Sequence, residues 1–179
     1  RKYLDMIRLT SIAIALLSVS LPALANQCEL ESTQEKHQAS KFEVTVKNMA
    51  ENPIWVTTKG QNKKGVTISS GDSLTRTFQI AKDSSLTPTA VERSDFGINV
   101  GSGSETDIGR GYQRIWNLRF TVTNALTGVS GEKPKRMSHF TTAQSLKGPK
   151  TRNFVVKCSA AFSKKGKNAW EYTIEIADK

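Results

Sequence analysis

From Lys41 onward, apolar and polar residues alternate with a period of two. Phe42, Val44 and Val46 are separated by Glu43 and Thr45 and bounded by Lys41 and Lys47, the pattern of a strand with one face in a core and the other in water. Ile54 to Thr58 follows the turn dipeptide Asn52-Pro53, and Val66-Thr67-Ile68 gives a third, short strand. Ser70-Gly71-Asp72-Ser73 has turn chemistry and leads into Leu74 to Ile80, where Arg76, Phe78 and Ile80 share a face. Phe96, Ile98 and Val100 alternate with Gly97, Asn99 and Gly101. The longest alternation runs through Tyr112, Arg114, Trp116, Leu118, Phe120 and Val122.

Two further strands close the chain. Phe154, Val156, Cys158, Ala160 and Phe162 fall on one face, which puts Cys158 on the core side. Past the polar turn Ser163 to Asn168, Trp170, Tyr172, Ile174 and Ile176 alternate with Glu171, Thr173 and Glu175, so the two segments read as a hairpin. Thr87 to Asp95 and Ala125 to Lys150 lack a clear period and read as long loops or short edge strands. Seven to eight strands with almost no helical periodicity predict an all-β, antiparallel β-sandwich, with a closed β-barrel as the alternative.

The front of the chain has a different pattern. Arg8 precedes the apolar run Ile12 to Leu21, Pro22 breaks it, and Ala23-Leu24-Ala25 supplies the small-x-small site that signal peptidase accepts. The run is shorter than the roughly 20 residues that span a bilayer. Residues 1–25 are therefore expected to be a signal peptide cleaved before Asn26, with 1–5 upstream of Met6 as the start. Residues 26–40 form a polar lead-in, either a short helix or extended, and 41–179 form a single sandwich domain. The expected location is periplasmic or secreted, with no transmembrane segment in the mature chain.

Cys28 and Cys158 are the only cysteines. An even count in an exported chain predicts a disulfide between them. The competing use, a lipid anchor, needs the cysteine directly after the cleavage point, and Asn26 and Gln27 intervene.

Charge adds the one asymmetry with functional content. The chain carries a formal +10, and removing Arg1, Lys2, Arg8 and Asp5 with the signal peptide leaves +8. The cations gather in turns: Lys59, Lys63 and Lys64; Lys133, Lys135 and Arg136; Lys147, Lys150 and Arg152; Lys164, Lys165 and Lys167. Turns on a common end would make a surface that attracts anions. The candidate anion-binding residues are Lys63, Lys64, Lys133, Lys135, Arg136, Lys164, Lys165 and Lys167.

Motifs for catalysis are missing. His37 and His139 have no metal-ligand spacing, so no metal is expected. Glu105 and Asp107 lie in a loop without the oxygen pattern of a calcium site. There is no Gly-x-Ser-x-Gly elbow, and the glycines of residues 101–111 match no phosphate-binding loop. No cofactor is implied, no nucleic acid is expected, and an enzyme has no motif in its support. The expectation is an exported, non-enzymatic binding protein for an anionic lipid head group, polysaccharide or acidic protein. A protein-binding immunity or accessory module, or a membrane-active sandwich, are the alternatives.

Overall fold

The computed structural model describes residues 28–59, 65–80, 91–102, 114–127, 133, 135–146, 154–164 and 168–179. Ten strands occupy them: β1 (Glu31–Glu35), β2 (Lys41–Asn48), β3 (Ile54–Lys59), β4 (Val66–Ile68), β5 (Ser73–Gln79), β6 (Val91–Ser102), β7 (Arg114–Thr127), β8 (Lys135–Leu146), β9 (Phe154–Ser163) and β10 (Ala169–Asp178). They form two open sheets, a six-stranded one ordered β1-β8-β7-β6-β3-β4 and a four-stranded one ordered β5-β2-β10-β9. The fold is a β-sandwich, and the closed barrel is ruled out by the open edges of both sheets.

Binary patterning decides which face each strand buries. Phe42, Val44 and Val46 of β2 and Tyr172, Ile174 and Ile176 of β10 are buried against Ile98, Val100, Leu118, Phe120, Val122 and Phe140 of the larger sheet. Phe42 sits at the centre, its ring centroid 5.0 Å from both Phe96 and Phe120 and 5.7 Å from Phe140. These edge-on and tilted arrangements suit the ring quadrupoles.

Two buried asparagines tie the sheets together at their ends. Near the start of β2, Asn124 of β7 accepts from the Ala39 N–H at 3.2 Å and donates to the Ala39 carbonyl at 2.8 Å. At the other end, Asn48 donates to the carbonyls of Asn52 (2.9 Å) and Ile68 (3.0 Å) and accepts from the Ala50 N–H. The corner from β4 to β5 uses Gly71 at φ +81°, a left-handed conformation that glycine adopts without a Cβ penalty. The sheet ends therefore coincide, so turns of both sheets can share one end.

Several details differ from the sequence reading. The polar lead-in is extended and contributes β1, paired with β8 from Glu31↔Thr141 to Glu35↔Met137. The stretch 125–150, expected to be loop or short edge strand, holds the twelve-residue β8 between β1 and β7. Its inward positions Ser138, Thr142 and Gln144 are polar, which hides the period. Ser138 accepts a hydrogen bond from the Trp170 indole N–H at 3.0 Å. Thr142 Oγ1 accepts from the Leu30 N–H at 2.6 Å and lies 2.7 Å from the Cys28 carbonyl. β6 likewise starts at Val91, inside the irregular stretch 87–95. One pair is parallel rather than antiparallel: β2 runs beside β10 from Lys41↔Ala169 to Asn48↔Ile176.

The disulfide between Cys28 and Cys158 is present and spans 130 positions. It joins the buried start of the lead-in to β9. The Tyr172 hydroxyl donates to the Cys28 carbonyl at 2.8 Å, and burial pushes its pKa well above that of a free tyrosine. The hydroxyl thus keeps its proton for that bond.

Candidate functional site

The strand register assigns every basic turn to an end. β2 and β10 both begin at the end marked by Ala39 and Asn124, where β5, β7 and β9 finish and β6 and β8 start. The β7–β8 and β9–β10 connections therefore close at this end. The β3–β4 connection opens in the same direction but is set back, since Lys59 lies opposite Gly97, six residues along β6 from Val91. The β8–β9 connection, with Lys147, Lys150 and Arg152, leaves from the opposite end, because Leu146 and Phe154 both lie there. The strand ends that flank three of the four basic turns thus point one way, and those that flank the fourth point the other.

Lys133, Lys135, Arg136 and Lys164 are all exposed at the shared end. Lys63, Lys64, Lys165 and Lys167 lie outside the described residues, as do the side chain of Lys59 and all of Lys147, Lys150 and Arg152. The structure adds two cations that the turn pattern missed. The exposed Lys36, at φ +73°, donates its backbone N–H to the Arg136 carbonyl at 2.7 Å, which brings it beside the β8 cations. Lys41 opens β2 at the same end. Nothing local could have placed Lys36, because its neighbour is a hundred residues away in the chain.

The two ends differ in net charge among the described residues. The shared end bears Lys36, Lys41, Arg93, Lys133, Lys135, Arg136 and Lys164 against Glu35, Glu43, Glu92 and Glu171. The opposite end bears Glu51, Asp72, Glu175 and Asp178 against Lys47, Lys157 and Lys179. There Lys47 is engaged with Glu175 at 2.9 Å, and this contact holds the Glu175 carboxyl below its usual range. Among the described residues the shared end is therefore the more cationic of the two. No protein-family model, curated protein or solved structure matches the chain.

A second polar region lies on the outer face of the six-stranded sheet. A shallow concavity of about 600 Å³ is lined by Arg93, Asp95, Arg119, Thr121, Thr141 and Ala143, with Phe96 and Phe120. The Thr121 hydroxyl donates to Asp95 at 2.6 Å, and Arg93 reaches the same carboxylate at 3.0 and 3.2 Å. The Thr121 hydrogen bond and then Arg93 hold the Asp95 carboxyl below the usual carboxylate range. Beside it, a side-chain ladder runs from Asn117 to Asn99 to Thr57. These are the ordinary means of covering a solvated sheet face.

The histidines take separate roles. His139 Nδ1 lies 2.9 Å from Thr33 Oγ1 and its Nε2 lies 3.3 Å from Glu31, bridging β8 to β1. His37 stacks on Phe162 at 6.4 Å. Among the described residues no three metal-binding side chains converge, and no helix is long and apolar enough to cross a membrane. The chemistry the cationic end offers is that of ammonium groups and a guanidinium, which attract and hold anions.

Proposed function

We propose that this chain is an exported, non-catalytic β-sandwich whose cationic end docks on a partner bearing phosphate or carboxylate groups. The observation that carries this is that the strand ends flanking the β3–β4, β7–β8 and β9–β10 connections all point one way, with Lys36, Lys133, Lys135, Arg136 and Lys164 exposed at that end. Clustered positive charge of this kind steers the molecule toward an anionic surface, and it accelerates encounter more than it tightens binding. Lipid head groups, acidic polysaccharide and an acidic protein share this chemistry.

Converting Lys135, Arg136 and Lys164 together to glutamate is expected to weaken binding to vesicles containing anionic lipid by roughly a hundredfold, at about 1 kcal/mol per cation lost. Wild-type binding should fall as salt rises. Vesicle co-sedimentation and an acidic-glycan array distinguish the lipid and saccharide sources, and a pull-down from extract reports an acidic protein. Salt-independent binding that the triple variant leaves unchanged would remove this reading.

Export is supported by the n-region, apolar run and cleavage pattern, and by a disulfide that an oxidising compartment would maintain. Intact-mass analysis of protein from the natural host should give Asn26 as the first residue. A lipid adduct on Cys28 would contradict it.

A further inference from the structure

Two groups of polar side chains on the outer face of the six-stranded sheet hold one another. Asp95 is taken by Thr121 and Arg93, and Asn117, Asn99 and Thr57 bond in series. Arg119 stands between these groups and joins neither. It is exposed, and among the described residues it makes no hydrogen bond or ion pair. Its charge reaches the Asp95 carboxyl only across space.

The register explains why Arg119 stands clear. It lies opposite Gly97 on β6 and Ala143 on β8, so nothing larger than a methyl group flanks it on either neighbouring strand. The rows beside it are taller: Asp95, Thr121 and Thr141 on one side, Asn99 and Asn117 on the other. These rows are separated by about 13 Å along β7, at roughly 3.3 Å per residue. A trough therefore crosses β6, β7 and β8 with one guanidinium rising from its floor, within the concavity of about 600 Å³. The charges at its border are Arg93, Asp95 and Arg119. Glu31 is two strands away on β1, 3.3 Å from His139, and the side chain of Lys59 lies outside the described residues. Arg93 and Asp95 satisfy each other at 3.0 Å, so Arg119 is the cation left over among the border charges.

We infer that this trough binds an acidic saccharide, with the carboxylate of a uronic acid on Arg119 and ring hydroxyls on Asp95 and Thr141. The side chains present select that class. A guanidinium offers a planar fork that matches a carboxylate bidentately. The ionised Asp95 only accepts hydrogen bonds, which suits a sugar hydroxyl and opposes a second anionic group beside the first. Phosphate or sulfate clusters are therefore disfavoured. A neutral sugar would cover the guanidinium and leave its charge without a partner. The trough lies midway along β7 and is separate from the cationic end, so the two sites act independently.

An NMR titration of the isotopically labelled, disulfide-bonded protein with a uronic acid tetrasaccharide should shift the amides of Arg119, Thr121, Thr141 and Ala143. Reducing the saccharide's carboxylates to alcohols should weaken binding by about ten- to a hundredfold, the range of one charge-assisted pair. Arg119→Gln should do the same. Ala143→Tyr fills the trough while keeping Arg119 and should weaken binding by about tenfold or more. Converting Lys135, Arg136 and Lys164 to glutamate should leave the Kd within about threefold at roughly 0.15 M salt, which separates this site from the cationic end. The absence of shifts at these four amides up to roughly 10 mM saccharide would overturn the proposal. So would undiminished binding of the carboxyl-reduced saccharide, or of the intact one by Arg119→Gln or Ala143→Tyr. Loss of the shifts in the triple variant would overturn it too, since the saccharide would then sit on the cationic end.

Discussion

Phe42→Ala is expected to destabilise the protein by about 3–5 kcal/mol, the largest loss for any single side chain in the core. The ring is fully buried and stands where four strands of the two sheets meet. β2 supplies it, and Phe96, Phe120 and Phe140 receive it from β6, β7 and β8 of the facing sheet. Truncation opens a void between sheets whose backbones are fixed by their own ladders, so the site cannot collapse to recover the lost contacts. The midpoint of thermal unfolding should fall by roughly 10 °C, at about 2–4 °C per kcal/mol for a domain of this size. Phe42→Leu fills most of the space and should cost much less. Chemical denaturation of both variants is the measurement, and a loss below about 1 kcal/mol for alanine would contradict the packing.

Removing the disulfide by Cys28→Ala with Cys158→Ala is the second large expected effect. Closing a loop of 130 positions restricts the unfolded chain by an amount worth about 4–5 kcal/mol in the chain-entropy treatment. Strand contacts local to Cys28 should survive its loss. The Cys28 carbonyl still receives the Tyr172 hydroxyl, Leu30 still pairs with Thr142, and β1 keeps its ladder to β8. Urea unfolding should therefore show a lower midpoint, while hydrogen exchange at β1 amides in the folded protein remains slow. Rapid exchange across β1 at native conditions would instead show that the bond holds this segment in place directly.

Much of the architecture is legible along the chain because a half-buried strand writes its period in residue types. β2, β7 and β10 have apolar residues at their inward positions apart from the buried Asn48 and Asn124 near the strand ends, and their faces follow directly. β8 breaks that rule for a physical reason: its inward Ser138, Thr142 and Gln144 are polar, and Ser138 and Thr142 bond to partners far away in sequence. Trp170 and the carbonyls around Cys28 are among them. β1 is invisible for a related reason, since a five-residue edge strand of Glu, Ser, Thr and Gln buries almost nothing. The basic turns could be recognised but not oriented, because direction along the sandwich depends on which strands pair. Lys36 could not be found at all without the hydrogen bond to Arg136.

The parallel pairing of β2 with β10 also governs when the protein can fold. The first long strand has its central neighbour in β10, and more than a hundred residues, with seven of the described strands, lie between them. β2 can pair with β5 early, but the four-stranded sheet has no middle until β10 is available. Vectorial, piece-by-piece folding during synthesis is therefore closed to this topology, and the loop-closure entropy must be met before the central contacts form. Folding in milliseconds to seconds is the expected range for such non-local pairing. A chain in which β2 waits for β10 keeps its two sheets from closing over Phe42 until all ten strands are present, so the core forms late and all at once.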